Sequence, residues 1–298
     1  MLIQIVGAGA VGMLMASFVA EAGLPVQLVV RRAQQAVIIN KQGLVRQNID
    51  GDAQQFQFRS TTRINNETGL IIVAVKYGQL SEVIENLHSV NEQIPILFLQ
   101  NGLAHFEEGL RLPHQHIAYS SVQFGAQKLD DVTVVHRGIG AMKIAVARGE
   151  VGVFQFLEQL ESRTLPIVFE ANAEQMLLEK ALLNCFINPL TAILQIKNGQ
   201  LLQNSEALQL LQSLYNELRS AFPELTNLVS FEDVQQLCAR TANNTSSMLA
   251  DRLLGRRTEV DTIVGAVIKK AHNAGKQLPT LETLYCLVKA FEESGEKM

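Results

Sequence analysis

The stretch LIQIVGAGAVG at residues 2–12 decides the fold. Residues 2–6 are an apolar run of strand length, and residues 10–22 have the composition of a helix. Between them lies the G-x-G-x-x-G turn Gly7-Ala8-Gly9-Ala10-Val11-Gly12. In such a turn the first glycine permits the tight bend, the second lets the backbone approach a pyrophosphate, and the third lets helix and strand pack closely. We predict a dinucleotide-binding turn; a glycine turn that serves packing alone is the alternative.

The end of the second predicted strand, residues 26–30, indicates which dinucleotide is bound. Arg31 and Arg32 follow that strand, and residues 25–49 contain no acidic side chain. An Asp or Glu here would bond the ribose hydroxyls of NAD, whereas a guanidinium pairs with a 2′-phosphate in a forked geometry. We therefore predict NADP(H), with Arg31 as the contacting residue. The alternative is a solvated basic pair.

Further buried strands are predicted at residues 70–75 and 94–99, with a helix at residues 80–87 between them. Continuous apolar runs are typical of a parallel sheet that is covered on both faces. The first half is therefore predicted to be an α/β domain with a Rossmann-like, doubly wound sheet. Lys76 and Asn101 follow the ends of these strands, where ligands of open α/β sheets bind. Simple loop capping is the alternative for both residues.

After residue 117 the strand pattern becomes shorter. Strands are predicted at residues 132–136 and 142–147, joined by a hairpin-like connection over residues 137–141. Residues 165–169 are predicted to form the last strand of the domain.

Beyond Asn172, helical periods replace the strand pattern. One predicted helix face carries Val260, Ile263, Val264, Val267, Ile268 and Ala271. We place a boundary near Glu170, which gives a Rossmann-like domain at residues 1–169 and an all-helical domain at residues 170–298.

Polar side chains interrupt one strongly apolar helical run. Lys180, Asn184 and Asn188 are spaced four residues apart, so they lie on one stripe about 80° wide. Pro189 predicts a kink beside the last asparagine. Because buried lysine and asparagine are costly unless paired, we expect the stripe to face a polar ligand. An ordinary solvated helix face is the alternative.

A second group of polar residues lies near the C-terminus. Ser246-Ser247-Met248 precedes a segment in which Thr258 is predicted as a helix N-cap and Glu259 as a first-turn residue. Spacing alone leaves open whether Glu259 is functional or a surface acid that interacts with the helix dipole.

Composition excludes several functional classes. The chain has 298 residues, is 47% hydrophobic and carries a formal net charge of −4, which disfavours a general nucleic-acid binder. Its three cysteines match neither a disulfide scaffold nor a C-x-x-C metal site. His114 and His116 have the wrong spacing for one helix face, so we expect surface histidines and no metal site. No signal peptide or membrane span is predicted, which favours a cytoplasmic protein.

Together these features resemble the ketopantoate reductase (2-dehydropantoate 2-reductase) family over nearly the whole chain. The resemblance is carried by the glycine turn, Lys76, Gln100-Asn101-Gly102, His136-Arg137-Gly138-Ile139-Gly140, Lys180 with Asn184 and Asn188-Pro189-Leu190-Thr191, Ser246-Ser247-Met248, and Thr258-Glu259-Val260-Asp261. One departure is Ala104, where many members have a further glycine.

The resemblance implies reduction of 2-dehydropantoate to (R)-pantoate with NADPH, in pantothenate and coenzyme A biosynthesis. It implies that Lys180 is the catalytic lysine and that Glu259 is a second catalytic residue, which also holds the substrate. The implied substrate-binding residues are Asn184, Asn188, Ser247 and Asn101. The implied cofactor-binding residues are Gly7, Ala8, Gly9, Ala10, Val11, Gly12, Arg31, Lys76, Asn101 and Glu259.

Two other functions remain open at this point. One is another two-domain NADP-dependent reductase of small 2-keto or 3-hydroxy acids. The other is a non-catalytic NADP-sensing regulator, which would bind the cofactor without turnover. We expect a small keto acid as the ligand and no nucleic-acid or membrane partner. The chain is expected to be a monomer or a homodimer.

Overall fold

The computed structural model of the chain describes residues 1–223 and 229–294. The chain divides into two compact units. The first comprises Met1–Gln100 and His105–Leu177, and the second comprises Asn101–Ala104 and Leu178–Met298. The short segment 101–104 therefore packs with the C-terminal part of the chain, although it lies among residues of the first unit in sequence.

The first unit is built on a large, mostly parallel sheet. The strands of the chain are β1 (Ile3–Val6), β2 (Val26–Val29), β3 (Leu44–Gln47), β4 (Ala53–Phe56), β5 (Arg59–Thr61), β6 (Leu70–Val73), β7 (Ile96–Phe98), β8 (Ile117–Val122), β9 (Gly125–Lys128), β10 (Thr133–Gly138), β11 (Met142–Arg148) and β12 (Ile167–Glu170). The large sheet has the order β12-β11-β8-β7-β6-β1-β2-β5. Six neighbouring strands of this sheet run parallel to one another, in the order β5, β2, β1, β6, β7 and β8. Strand β11 runs antiparallel to β8.

The order of strands places a ligand crevice beside the glycine turn. Strand β1 lies between β2 and β6. The chain therefore adds strands first on one side of β1 and then on the other, which makes β1 the switch point of the topology. Both β1 and β6 are fully buried, as the continuous apolar runs predicted. In open α/β sheets, ligands bind at the carboxyl ends of the strands at such a switch point. The predicted α/β, doubly wound sheet is confirmed.

The predicted hairpin between residues 132–136 and 142–147 is wrong. Strand β10 pairs with β3 and β9 in a small second sheet of order β4-β3-β10-β9, whereas β11 pairs with β8 and β12 in the large sheet. The true hairpin joins β9 to β10. The carboxylate of Asp130 accepts the N–H groups of Val132 and Thr133 there, which closes the turn. Apolar alternation identified the strands but carried no information about their partners.

Helices cover the sheets of the first unit. They are α1 (Ala10–Glu21), α2 (Ala33–Gln42), α3 (Leu80–Leu87) and α4 (Ala104–Leu110), which begins in segment 101–104. Arg46, on β3, fastens the small sheet to α1. Its side chain is 4% exposed, and its guanidinium donates to both carboxylate oxygens of Glu21 and lies over the ring of Phe18. A buried charge is tolerated because it is paired and hydrogen-bonded.

The second unit is helical in the described residues. After α5 (Ala173–Leu194) come α6 (Gln200–Gln203), α7 (Ser205–Ala221), α8 (Phe231–Arg240), α9 (Ser247–Leu253), a π-helical segment (Asp261–Gly265), α10 (Ala266–Asn273) and α11 (Pro279–Ser294). The predicted apolar face from Val260 to Ala271 lies in the core of this unit.

Helix α5 supplies much of that core. It continues through Pro189 to Leu194. By length and composition it could cross a membrane, with a mean hydropathy of 1.3 over its apolar window, but 67% of that window is buried inside the protein. A helix that is apolar on most sides and mostly buried is typical of a protein core.

Candidate functional site

The glycine turn has the geometry that its sequence predicted. Gly7 adopts φ = +112°, and a side chain there would press on the backbone of Val75 at 2.9 Å. A side chain on Gly12 would collide with the carbonyl oxygen of Gly7. Gly9, the N-cap of α1, has nothing within 4 Å of a hypothetical Cβ. The first and third glycines are thus needed for the fold, while the second leaves open space at a helix N-terminus.

That open space has the character of an anion site. The first turn of α1 carries no acidic residue, and its N-cap, Gly9, has no side chain to accept the first N–H groups of the helix. The N–H groups at the start of a helix point outward, and the helix dipole favours negative charge there. The turn therefore fits a pyrophosphate by shape and by charge.

The two arginines after β2 differ in their surroundings. Both are exposed. Arg32 forms an ion pair with Asp131, which also binds the amine of Lys128 at 3.2 Å. The same amine donates to the carbonyl of Ala8 in the glycine turn at 3.1 Å. Arg32 is thus held by Asp131, which favours Arg31 as the phosphate contact; that contact stays a prediction.

Two residues at strand ends of the first unit are placed differently. Lys76 is exposed and immediately precedes a 3-10 turn at Tyr77–Gln79. Gln100 is buried, and its amide donates to the carbonyls of Val73 and Val75, which fastens the end of β7 to β6.

The second unit brings three predicted site residues into one cluster. The amine of Lys180 donates to Oδ1 of Asn101 at 2.6 Å. The amide nitrogen of Asn101 donates to Oε2 of Glu259 at 3.2 Å. All three side chains are half-buried. Residues far apart in sequence thus form a chain of ammonium, amide and carboxylate, which we call the Lys–Asn–Glu cluster.

Burial tunes the acidity of the lysine. It lowers the pKa of Lys180 from 10.5 to about 8, while the negative charge of Glu259 acts in the opposite direction. A free lysine is too weak an acid to release its proton readily near neutral pH. A lysine with a pKa of about 8 is still mostly protonated there but gives up its proton far more easily, which suits a general acid.

The remaining predicted substrate-binding residues lie on α5 and at the start of α9. Asn184 is half-buried and Asn188 is 6% exposed, on the same helix stripe as Lys180. Ser247 is exposed in the first turn of α9. The preceding Ser246 is buried and caps that helix by accepting the N–H of Leu249.

Sequence reasoning missed two features of the site. The first is the role of Ser246, whose hydroxyl also lies 2.7 Å from that of Thr191 on α5. A serine just before a helical run was the available signal for a cap. The second is the pair of Lys128 and Asp131 beside the glycine turn, for which the sequence offers no spacing signal.

The expectation of surface histidines at His114 and His116 is wrong for His114, which is fully buried. Arg148 reaches across from β11 and donates to the backbone carbonyl of His114 at 3.0 Å, which holds this segment against the sheet. Burial lowers the pKa of His114 below its usual range. Periodicity could not reveal this, because the segment is neither helix nor strand.

Comparison with known proteins gives one family. The model described as "Ketopantoate reductase PanE/ApbA" matches residues 3–149, and "Ketopantoate reductase PanE/ApbA C terminal" matches residues 172–292. The 2-dehydropantoate 2-reductase of Listeria monocytogenes is 34% identical over 301 residues, covering 99% of this chain and 98% of that protein.

Solved structures agree. The crystal structure of a probable 2-dehydropantoate 2-reductase from Bacillus subtilis is 33% identical, with a TM-score of 0.88 over 98% of this chain and 100% of that one. A D-mandelate dehydrogenase, solved with NADH and anilino(oxo)acetate, shares the fold at 23% identity, with a TM-score of 0.83 over 99% of both chains. The two family models cover most of the chain, and the glycine turn and the Lys–Asn–Glu cluster lie within the matched ranges. This chain therefore belongs to the ketopantoate reductase family.

Proposed function

We propose that this protein reduces 2-dehydropantoate to (R)-pantoate, with NADPH as the reductant, in pantothenate and coenzyme A biosynthesis. The observation that carries the proposal is the Lys–Asn–Glu cluster: a lysine of lowered pKa, hydrogen-bonded to an amide that is in turn bonded to a carboxylate. Family membership supports the choice of substrate.

Lys180 acts as the proton donor. When a ketone is reduced, negative charge develops on its oxygen and must be met by a positioned donor. The ammonium of Lys180 stabilises that oxygen and then transfers a proton to it, which yields the alcohol and neutral lysine. Its pKa of about 8 is close enough to neutral pH for both protonation states to be reached during turnover.

The other polar residues hold the substrate. Asn184 and Asn188 extend the stripe of Lys180 along α5, where amides can bond a carboxylate or a hydroxyl. Ser247 offers an exposed hydroxyl for the carboxylate. The carboxylate of Glu259 accepts a hydrogen bond from the substrate hydroxyl, and Asn101 keeps the amine of Lys180 directed toward the reacting oxygen.

A nicotinamide dinucleotide supplies the hydride when it is bound. Gly7, Gly9 and Gly12, with the intervening backbone of Ala8, Ala10 and Val11, would receive its pyrophosphate. Arg31 would bind the 2′-phosphate, which selects NADP(H). Lys76, Asn101 and Glu259 are proposed as further cofactor contacts.

Initial rates on the purified protein test this function. We expect reduction of ketopantoate with NADPH, much slower reduction with NADH, and preference for ketopantoate over unbranched keto acids. Preference for an unbranched keto acid would indicate another reductase of small 2-keto or 3-hydroxy acids. Tight NADPH binding without turnover of any keto acid would indicate the regulatory function.

Two variants separate chemistry from binding. Lys180→Ala should lower turnover by orders of magnitude while the Kd for NADPH stays nearly unchanged; ordinary turnover would remove Lys180 from the mechanism. Arg31→Asp should weaken NADPH binding far more than NADH binding, and equal effects on both would refute the phosphate assignment.

The proposed setting is the cytoplasm, with a small keto acid as the ligand and no nucleic-acid or membrane partner. The proposed oligomeric state is a monomer or a homodimer, which sedimentation of the purified protein would decide.

A further inference from the structure

Asn101 belongs to the segment Asn101–Ala104, which packs with the second unit. We propose that Gly102 and Leu103 clamp this segment onto the backbone of Thr262 and thereby hold Asn101 at the proton donor. The inference rests on the proposed function, in which Lys180 is that donor, and extends it by assigning Gly102 as a positioning residue. We call the contact of Gly102 and Leu103 with Thr262 the backbone clamp.

The clamp is a close approach of two backbones. The N–H of Leu103 donates to the carbonyl of Thr262 at 3.0 Å. Gly102 lies against the same peptide: a Cβ on it would collide with the carbonyl oxygen of Thr262 and stand 2.6 Å from the carbonyl carbon. Gly102 also adopts φ = +83°, which side chains of L-residues rarely tolerate. Glycine is therefore required here on two independent grounds.

The partner of the clamp is a π-helical segment. Residues Asp261–Gly265 have π-type bonding, and α-type bonding resumes with α10 at Ala266. Such a change of register alters which carbonyls receive a helical N–H, and π-bulges occur frequently at functional sites. The Thr262 carbonyl receives Leu103 there, three residues after Glu259.

The clamp connects two members of the cluster, Asn101 and Glu259, through the same π-helical segment. Glu259 lies two residues before the π segment, and the N–H of Ile263 donates to the carbonyl of Glu259 at 3.0 Å. Asn101 immediately precedes Gly102. A displacement of Gly102 from Thr262 therefore moves the amide of Asn101 relative to the carboxylate of Glu259.

The Asn101 amide bonds an ammonium at one end and a carboxylate at the other, so both hydrogen bonds depend on its position. Its oxygen faces an ammonium and its nitrogen faces a carboxylate, so each end meets the charge that it can bond. The hydrogen bond from Lys180 stabilises the charged form of the amine. Withdrawal of the amide should therefore lower the pKa of Lys180 further and leave the amine less well directed.

A double-mutant cycle tests the clamp. Gly102→Ala, Asn101→Ala and the double variant would be compared with wild type by kcat/KM for ketopantoate with NADPH. We expect Gly102→Ala to lower kcat by ~10–100-fold with a smaller change in KM, because small misplacements of catalytic groups have effects of this size. In the Asn101→Ala background the same substitution should change kcat/KM by less than about threefold, because residues that act through one another are not additive.

A second readout does not depend on turnover. The pKa of Lys180 in the cofactor-free protein can be measured by NMR of its side-chain carbons, with the signal assigned from Lys180→Met. We expect Gly102→Ala to lower this pKa and Asn101→Ala to lower it by a similar amount. Absence of ketopantoate reduction in the wild type would refute the proposed function, whereas the pKa measurement would still test the clamp.

The matched control is Gly275→Ala. Gly275 also lies in the second unit and has φ = +71°, but nothing lies within 4 Å of its hypothetical Cβ. It should reproduce the backbone strain while leaving kcat and the pKa of Lys180 unchanged. If Gly102→Ala does not fold, Leu103→Pro removes the clamping N–H while keeping Gly102 and should show the same pattern. Full multiplicative effects in the Asn101→Ala background, or an unchanged pKa of Lys180 in a folded clamp variant, would overturn the inference.

Discussion

Replacement of Lys180 by methionine should stabilise the protein while abolishing its activity. The reason is the burial that lowers the pKa of this lysine from 10.5 to about 8. Because one pKa unit corresponds to 1.36 kcal/mol, the protonated amine costs the folded state about 3 kcal/mol at neutral pH, as an upper bound. Methionine has a similar shape and is neutral, so it avoids this cost.

Part of the gain is lost with the hydrogen bond to Asn101. A hydrogen bond with a charged partner contributes about 1.5–3 kcal/mol, and Lys180→Met leaves the amide oxygen without this donor. We therefore expect a net gain of about 1 kcal/mol in the free energy of unfolding near pH 7. The gain should appear as a higher urea midpoint with an unchanged slope.

The pH dependence of the stability difference between wild type and Lys180→Met is a separate test of whether the buried charge is destabilising. Below pH 8 the lysine is protonated in both the folded and the unfolded state, so its cost is fully present. Between pH 8 and 10.5 only the unfolded state binds the proton, so wild-type stability rises relative to the variant. Above pH 10.5 neither state is charged, and the two proteins differ only in packing and hydrogen bonding.

The assay is urea unfolding followed by circular dichroism at several pH values, with Lys197→Met as the matched control. Lys197 is an exposed lysine of the same unit, so its replacement should leave the midpoint unchanged at every pH. If Lys180→Met is less stable than wild type near pH 7, or if the difference does not change between pH 8 and 10.5, the reasoning about burial is refuted.

Three further predictions follow from the same structure. The rate of keto acid reduction should fall above about pH 8 as Lys180 loses its proton, and Glu259→Gln should move this decline to lower pH, because the charge of Glu259 raises the pKa of the lysine; a pH–rate profile checks both. Gly9→Ala should weaken NADPH binding without changing the melting temperature, whereas Gly12→Ala should lower the melting temperature through its collision with the turn, as calorimetry and titration would show. The lowered pKa of His114 means that stability is lost as pH falls below 6.5, where the unfolded state takes up the proton first; His114→Phe should flatten that acid limb of the unfolding curve.

Local rules predicted the parts of the site that depend on local geometry. Residues 7 and 12 are glycines because neighbouring atoms leave no room for a side chain, and the structure shows both of these close contacts. Continuous apolar runs in the sequence predicted the fully buried strands β1 and β6. The stripe of Lys180, Asn184 and Asn188 follows from helical periodicity alone.

Contacts between distant segments left no such signal. Nothing periodic in the sequence shows that segment 101–104 packs with residues beyond 178, because the contact is made by the backbone at Leu103 and Thr262. The same limit explains the wrong hairpin, since strand partners depend on the whole sheet. It also explains why Asp131 was not foreseen beside Arg32. Tertiary placement of polar groups is decided by packing, which a single sequence does not display.

The interposed amide leaves Lys180 more acidic than direct contact with a carboxylate would. A carboxylate in direct contact with an amine strongly favours the charged form and raises its pKa, which would make Lys180 a poorer acid. Asn101 bonds the amine through a neutral oxygen and passes its own N–H to Glu259, so it directs the ammonium with an uncharged partner. Desolvation then outweighs the attraction of Glu259, and the pKa of Lys180 falls to about 8. An Asn101→Asp variant would place a carboxylate directly on the amine and should raise that pKa, so that reduction slows near neutral pH although an oxygen acceptor for the amine is retained.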